Sequence, residues 1–310
     1  KYSHGSRPRV INTSARRAVA GADGAATGGW RLDRGGGGTS PPLPIRAHAM
    51  RPYKLPTTNY PTLYMIVFSA IVPHSPLLLP SIGKTNRDKL SATLAAFTEI
   101  EQALYLAKVD TICIIAPHGA MYPDAFSVNL ASKYVGNLKQ FGDFSTTVNA
   151  KSDYLMIDRL QHKLRAEGVP FTLSSNEELD YGFAVPLLLL TSHLASWKLV
   201  PISPSKLDGK AHFEFGKQLK RVLHSEDARV AVIASADMSH KLSADAPGGF
   251  AKEGPAFDAA VKDSITANNP TALFALDAKS VEGAAQCAYL PVITLLGVLD
   301  GMNATPKILS

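Results

Sequence analysis

The chain has 310 residues, is 45% hydrophobic and carries a formal charge of +6, enough material for one large α/β domain or two smaller ones whose core needs no covalent staples. The charge is concentrated at one end: ten of the 32 Lys and Arg and two of the 26 Asp and Glu precede position 65, a net of +8, which leaves −2 for the rest. The remainder therefore lacks the electrostatic footprint of a nucleic-acid-binding protein. Two cysteines are too few for a disulfide framework or a Cys-rich zinc site, and no apolar stretch reaches the roughly 18 to 20 residues that span a bilayer.

Residues 1–64 hold nine of the 23 glycines, including Gly35 to Gly38, with Pro41-Pro42 and scattered arginines but no apolar periodicity. This composition predicts a disordered basic tail, read either as an organelle-targeting leader or as sequence upstream of a start at Met65. From position 65 to 310 the pattern is that of a single domain. Residues 65–72 form an apolar run of the buried-strand kind, 88–108 place Leu90, Leu94, Phe97, Ile100 and Leu104 at helical spacing, and 109–116 are again strand-like. Strand, helix, strand makes a βαβ crossover and parallel strands. Helices are expected over 154–167, ended by Gly168, and over 183–197; the latter contains the longest apolar stretch, 183–190, interrupted by Pro186. A strand over 198–202, a helix over 213–224, a strand over 229–236 and helices over 255–268, 270–276 and 290–300 complete the reading. The alternation argues for an α/β fold, a mostly parallel central sheet flanked by helices. A reducing, cytoplasmic setting is the simplest match to the cysteine usage, with organelle import as the variant in which the basic leader is genuine.

Three histidines each follow one of these strands: His74 in Val72-Pro73-His74, His118 in Ala116-Pro117-His118, and His240 in Asp237-Met238-Ser239-His240. Parallel strands would deliver all three imidazoles to the carboxyl edge of the sheet, where α/β proteins build their sites. The other histidines outside the tail, His162, His193, His212 and His224, sit singly in or beside helices and read as surface or core residues. Neutral imidazole suits Zn, Fe, Cu and Ni, and two His plus one carboxylate leave open positions on non-haem iron. Carboxylate candidates beyond His240 are Asp245, Glu253, Asp258, Asp263, Asp277 and Glu282; Glu282 stands out because residues 280–285 separate two helical segments and can return to the sheet edge as a loop. A helix-terminal acid is the structural reading of the same residue. There is no G-x-S-x-G elbow, no phosphate loop and no H-E-x-x-H, and Cys113 lies inside an apolar run.

Four ordered motifs, Ile71-Val72-Pro73-His74-Ser75-Pro76, Ala116-Pro117-His118-Gly119, Leu179-Asp180-Tyr181-Gly182-Phe183-Ala184-Val185-Pro186-Leu187 and Ser235-Ala236-Asp237-Met238-Ser239-His240, resemble the catalytic subunits of class III extradiol ring-cleavage dioxygenases, the LigB-like family. The resemblance implies Fe(II) held by His74, His118 and Glu282, with His240 as acid/base, Asp237 fixing the His240 loop, and a catecholic or related aromatic ring opened with O2. It also implies partners of two kinds, a homo-oligomer or a small second subunit. Tyr181 stands where many members have a substrate-contacting His; a phenol donates a hydrogen bond but does not titrate near neutral pH. Gln286-Cys287-Ala288-Tyr289-Leu290-Pro291 is similar to the related Memo-like branch, in which a Cys joins two His near the metal, so Cys287 is the alternative third ligand. On that branch the expected role is metal-binding or redox interaction, with Cu or Zn as the alternative metals, and a zinc-dependent hydrolase is a further reading of the same cluster.

Overall fold

The computed structural model describes residues 66–225 and 228–310; the expected tail over 1–64 lies outside the described residues. The elements run β1 (Ile66–Val72), α1 (Pro80–Gly83), α2 (Ser91–Leu106), β2 (Thr111–Ile115), β3 (Phe126–Asn129), β4 (Lys133–Leu138), β5 (Asp143–Ser152), α3 (Tyr154–Ala166), β6 (Phe171–Ser174) and β7 (Glu178–Leu179). They continue through α4 (Tyr181–Leu190), β8 (Lys198–Ser203), α5 (Gly209–Leu223), β9 (Val230–Ser235), α6 (Glu253–Thr266), α7 (Thr271–Phe274), α8 (Ala278–Gly283) and α9 (Tyr289–Leu299).

The strands form one mixed sheet in the order β1-β9-β2-β8-β5-β4-β7, with β3 paired to β8 and β6. The pairs β1/β9, β9/β2 and β2/β8 are parallel, as are β5/β8, β3/β6 and β4/β7, whereas β4/β5 and β3/β8 are antiparallel. Strand β8 is shared along its length: Lys198 and Leu199 pair with β5, and Ile202 and Ser203 pair with β3. The sheet therefore forks beyond its parallel centre.

Both faces of that centre are covered, which is why β2 and β9 read as unbroken apolar runs instead of alternating ones. Ile112, Ile114, Ala231 and Ile233 point into a core closed by Phe97, Ile100 and Leu104 of α2 and by α4. Cys113, Ile115, Val230, Val232 and Ala234 point the other way, onto Phe215, Leu219 and Leu223 of α5 and Leu160 of α3. A third cluster, around Phe257, Leu273, Val292 and Ile293, packs the C-terminal helices together and includes Ala236, just past β9. Cys113 is thus a buried core residue, as its apolar context suggests.

The α/β class and the parallel centre agree with the sequence reading, and three local expectations need correction. The helix expected over 88–108 begins as a 3-10 segment, Lys84–Leu90, and becomes α-helical only from Ser91. The helix expected over 183–197 spans Tyr181–Leu190; at its C-terminal end Thr191 Oγ1 turns back to donate to Leu187 O at 2.7 Å, a side-chain bond that competes with continued helix. The loop expected around Glu282 is helix α8, capped by Asp277, whose carboxylate accepts from Ser280 N at 2.7 Å. Among the described residues no helix is long and apolar enough to cross a membrane.

Candidate metal centre

Because β1, β9 and β2 are adjacent and parallel, the segments leaving their carboxyl ends meet at one place. His74 follows β1, His118 follows β2, and Asp237 to His240 follow β9. His74 is 1% exposed, whereas His118 is exposed. Their Nε2 atoms approach to 3.2 Å, with the rings edge to face at 4.9 Å between centroids. Cys287 completes the group from the turn before α9: its Sγ lies 3.3 Å from His74 Nε2. One ligand atom from each of His74, His118 and Cys287 lies within 4.8 Å of the others, an arrangement that could hold a metal ion.

The surrounding bonds explain why these side chains converge. Asp237 Oδ1 accepts the backbone N–H of His74 at 2.7 Å, and its carbonyl accepts the N–H of Cys287 at 3.2 Å, so one residue joins the strand exit bearing His74 to the turn bearing Cys287. Its Oδ2 stands 3.5 Å from His74 Nε2 and 3.8 Å from His240 Nε2. Other groups also hold the loop that carries His240. Ser239 N donates to Asp258 Oδ1 at 3.0 Å, Ser239 Oγ to Ala284 O at 2.7 Å, and His240 N to Ala285 O at 3.3 Å. Ala285 takes a left-handed φ of 47° to present that carbonyl, two residues before Cys287.

Helix α4 contributes the remaining wall. Asp180 caps it, accepting Gly182 N at 2.7 Å, and this fixes Tyr181 against His118, the rings stacked at 4.7 Å and 23° with the phenol oxygen 3.0 Å from His118 Nε2. Gly182 sits so close that a Cβ there would lie 3.2 Å from His118 Cδ2 and 2.9 Å from Asp180 Oδ1. Ser235, the last residue of β9, is fully buried and is a member of the site that residue-type reasoning passed over; its Oγ lies 2.9 Å from His74 Nδ1.

Burial lowers the His74 pKa to about 4 despite the opposing pull of Asp237, and partial desolvation of the His118 ring lowers its pKa too. Both imidazoles are therefore neutral near pH 7, the form that ligates. Burial, reinforced by Asp237, pushes the Cys287 thiol up to about 12; a bound cation would supply the charge that favours its thiolate. Two neutral imidazoles and a sulfur directed at one another with little else between them fit a metal ion.

Glu282 does not join the group. It is exposed on α8 and absent from the set of converging ligand atoms, although it is five residues from Cys287 in the chain. Of the expected site residues, the fold brings together His74, His118, Tyr181, Asp237, His240 and Cys287.

A half-open cavity of about 440 Å³ begins at His118 and runs along the forked part of the sheet. Its wall mixes polar and apolar surface, with Asn129, Asn137, Asn176, Lys139 and Ser203 beside Leu179 and Phe183. Asn129 exchanges two hydrogen bonds with the backbone of Asn176, at 2.6 and 2.8 Å, so this carboxamide is held in place yet keeps one N–H and one lone pair for a ligand. The Ser203 side chain is 6% exposed; Gly119 leaves it room, since a Cβ there would fall 2.2 Å from its Oγ.

Comparison with known proteins places this geometry. Protein CA_C1420 of Clostridium acetobutylicum is 26% identical over 249 residues, covering 77% of this chain and 53% of that protein; the chain thus spans about half the length of this curated relative. The crystal structure of uncharacterized protein JW3007 from Escherichia coli K12 superposes with a TM-score of 0.51 at 19% identity, over 68% of this chain and 84% of that one, which speaks to the fold. The family described as the catalytic LigB subunit of aromatic ring-opening dioxygenase matches residues 69–309. With that match spanning most of its length, the chain belongs to the LigB family.

Proposed function

We propose that this protein is a metal-dependent redox protein whose ion is held by His74, His118 and Cys287 and which acts on a small polar molecule entering beside His118. The observation that carries this reading is the position of Cys287 Sγ, 3.3 Å from His74 Nε2 and inside the cluster. Thiolate plus imidazole is a softer donor set than two His and a carboxylate, and it suits Cu, Zn or Fe. The bound metal would supply electron transfer or Lewis acidity.

The protein's own groups have separate tasks around it. Asp237 holds the strand exits at a fixed separation through its bonds to His74 N and Cys287 N. The His240 side chain, 47% exposed and 3.8 Å from Asp237 Oδ2, is placed to exchange a proton with solvent or substrate. The Tyr181 hydroxyl, 3.0 Å from His118 Nε2, stands at the mouth of the site, where its O–H is available to an incoming molecule once His118 Nε2 ligates the metal. The wall of the cavity favours a molecule rich in hydroxyl groups, because each fixed carboxamide offers a donor beside an acceptor and a hydroxyl satisfies both.

Loading the metal-free protein with Co(II) tests the reading. A thiolate-to-metal absorption band is expected in the wild type and should vanish in Cys287→Ser. The same band retained in Cys287→Ser, or absent from the wild type, would contradict it. Fe(II)-dependent extradiol ring cleavage is the second reading, favoured by the placing of His240 and Asp237 beside the two histidines. Oxygen uptake by Fe(II)-loaded protein with simple catechols, accompanied by a yellow ring-opened product, would select it. Zinc in the purified protein with no oxygen uptake would instead mark a hydrolytic centre.

A further inference from the structure

We infer that Ser235 is a positioning residue that selects which nitrogen of His74 faces the metal site, and that Pro186 makes this selection possible. The inference rests on the reading of His74 as a ligand and concerns a residue outside the ligand set.

The argument begins with Pro186, inside α4. In an α-helix the N–H of residue 186 would bond to the carbonyl of residue 182, but proline has no N–H to give. The Gly182 carbonyl is left without its helical partner in a buried position, where an unmade hydrogen bond is costly. Ser235 Oγ, arriving at the end of β9, lies 2.5 Å from that oxygen and donates to it.

A serine hydroxyl has one proton. Spent on Gly182 O, it leaves only lone pairs on Ser235 Oγ for the contact at 2.9 Å with His74 Nδ1. His74 must then donate from Nδ1–H, and its neutral ring carries the free lone pair on Nε2. Nε2 is the atom 3.2 Å from His118 Nε2 and 3.3 Å from Cys287 Sγ. In the opposite tautomer the hydroxyl would turn to Nδ1, and the Gly182 carbonyl would lose its partner. Only one direction of the chain Gly182 O, Ser235 Oγ, His74 Nδ1 makes both bonds.

Such outer hydrogen bonds orient ligating histidines and their loss costs about 10- to 100-fold in metal affinity. Nitrogen NMR of metal-free protein with labelled imidazoles reads the tautomer directly, the His74 signals being identified by their absence in His74→Gln. The wild type is expected to show protonated Nδ1 and unprotonated Nε2 at His74. Ser235→Ala should show a mixture of the two forms and bind Co(II) about 10- to 100-fold more weakly. A wild-type His74 protonated on Nε2 would overturn the inference, and so would a Ser235→Ala protein that keeps both the wild-type tautomer and the wild-type Co(II) affinity. Because the tautomer is read without metal, failure of the relay is distinguishable from failure of the ligand assignment, which would appear as wild-type Co(II) affinity in His74→Gln.

Discussion

His240 and His74 show how far identical side chains diverge at one sheet edge. His74 is buried, bonded at Nδ1 and directed into the cluster, whereas the His240 side chain is half in solvent and faces the carboxylate of Asp237. His240→Ala should therefore keep wild-type metal content and lose turnover by about 10²- to 10⁴-fold, the usual contribution of a general acid or base. Metal analysis beside a steady-state assay checks this, and equal loss of metal in His74→Ala and His240→Ala would give His240 the wrong role. The sequence carried the histidines plainly, since each follows an apolar run and a proline or a short turn. It did not carry the choice between Glu282 and Cys287, because both lie within the same few residues and only the conversion of residues 278–283 into a helix separates them. Ser235 was invisible for a different reason: its importance depends on a carbonyl left open by a proline in another element, a relation with no signature in local spacing.

The turn between α8 and α9 and the junction of α1 with β5 each make a claim at the level of elements. Ala285 holds a left-handed φ of 47° while its carbonyl receives His240 N, a conformation that costs an L-residue about 1 to 2 kcal/mol. Ala285→Gly should raise Tm by about 2 to 4 °C with metal content unchanged; a fall in Tm would show that the side chain contributes more than the backbone strain removes. At the other junction, the Asp143 carboxylate accepts from the Ser81 hydroxyl and from Ser145 and Thr146, and these bonds hold its pKa well below the usual carboxylate range, Ser81 foremost. A depressed pKa stabilises the fold above the unfolded carboxylate value, and that contribution fades as pH falls through and below it. Asp143→Asn should accordingly lower Tm at neutral pH, with the gap from wild type narrowing below about pH 4. A gap independent of pH would remove ionisation from the explanation. Strands β3 to β7 escaped the sequence reading because β4 and β5 are half-exposed and polar on one side, so they lack the continuous apolar runs that made β2 and β9 legible.

Across the molecule, the fork at β8 links the metal cluster to the cavity: the exits of β1 and β2 and the turn before α9 deliver the ligands, while β3, β4 and β6 supply the wall that begins at His118. The purely parallel half of this plan was readable from the βαβ pattern, and the mixed half, which sets what can approach the metal, was not. Asn137→Trp, at a half-buried position of the wall, should obstruct the cavity, abolish saturation-transfer signals from a simple polyol such as sorbitol, and leave metal content unchanged. Persistent signals in the variant would place polyol binding elsewhere. The central claim is the thiolate-imidazole ligand set, and metal stoichiometry measured side by side in wild type, Cys287→Ala and Glu282→Ala tests it most directly. Loss of metal in Cys287→Ala with full occupancy in Glu282→Ala is the predicted result; full occupancy in Cys287→Ala with loss in Glu282→Ala would contradict it.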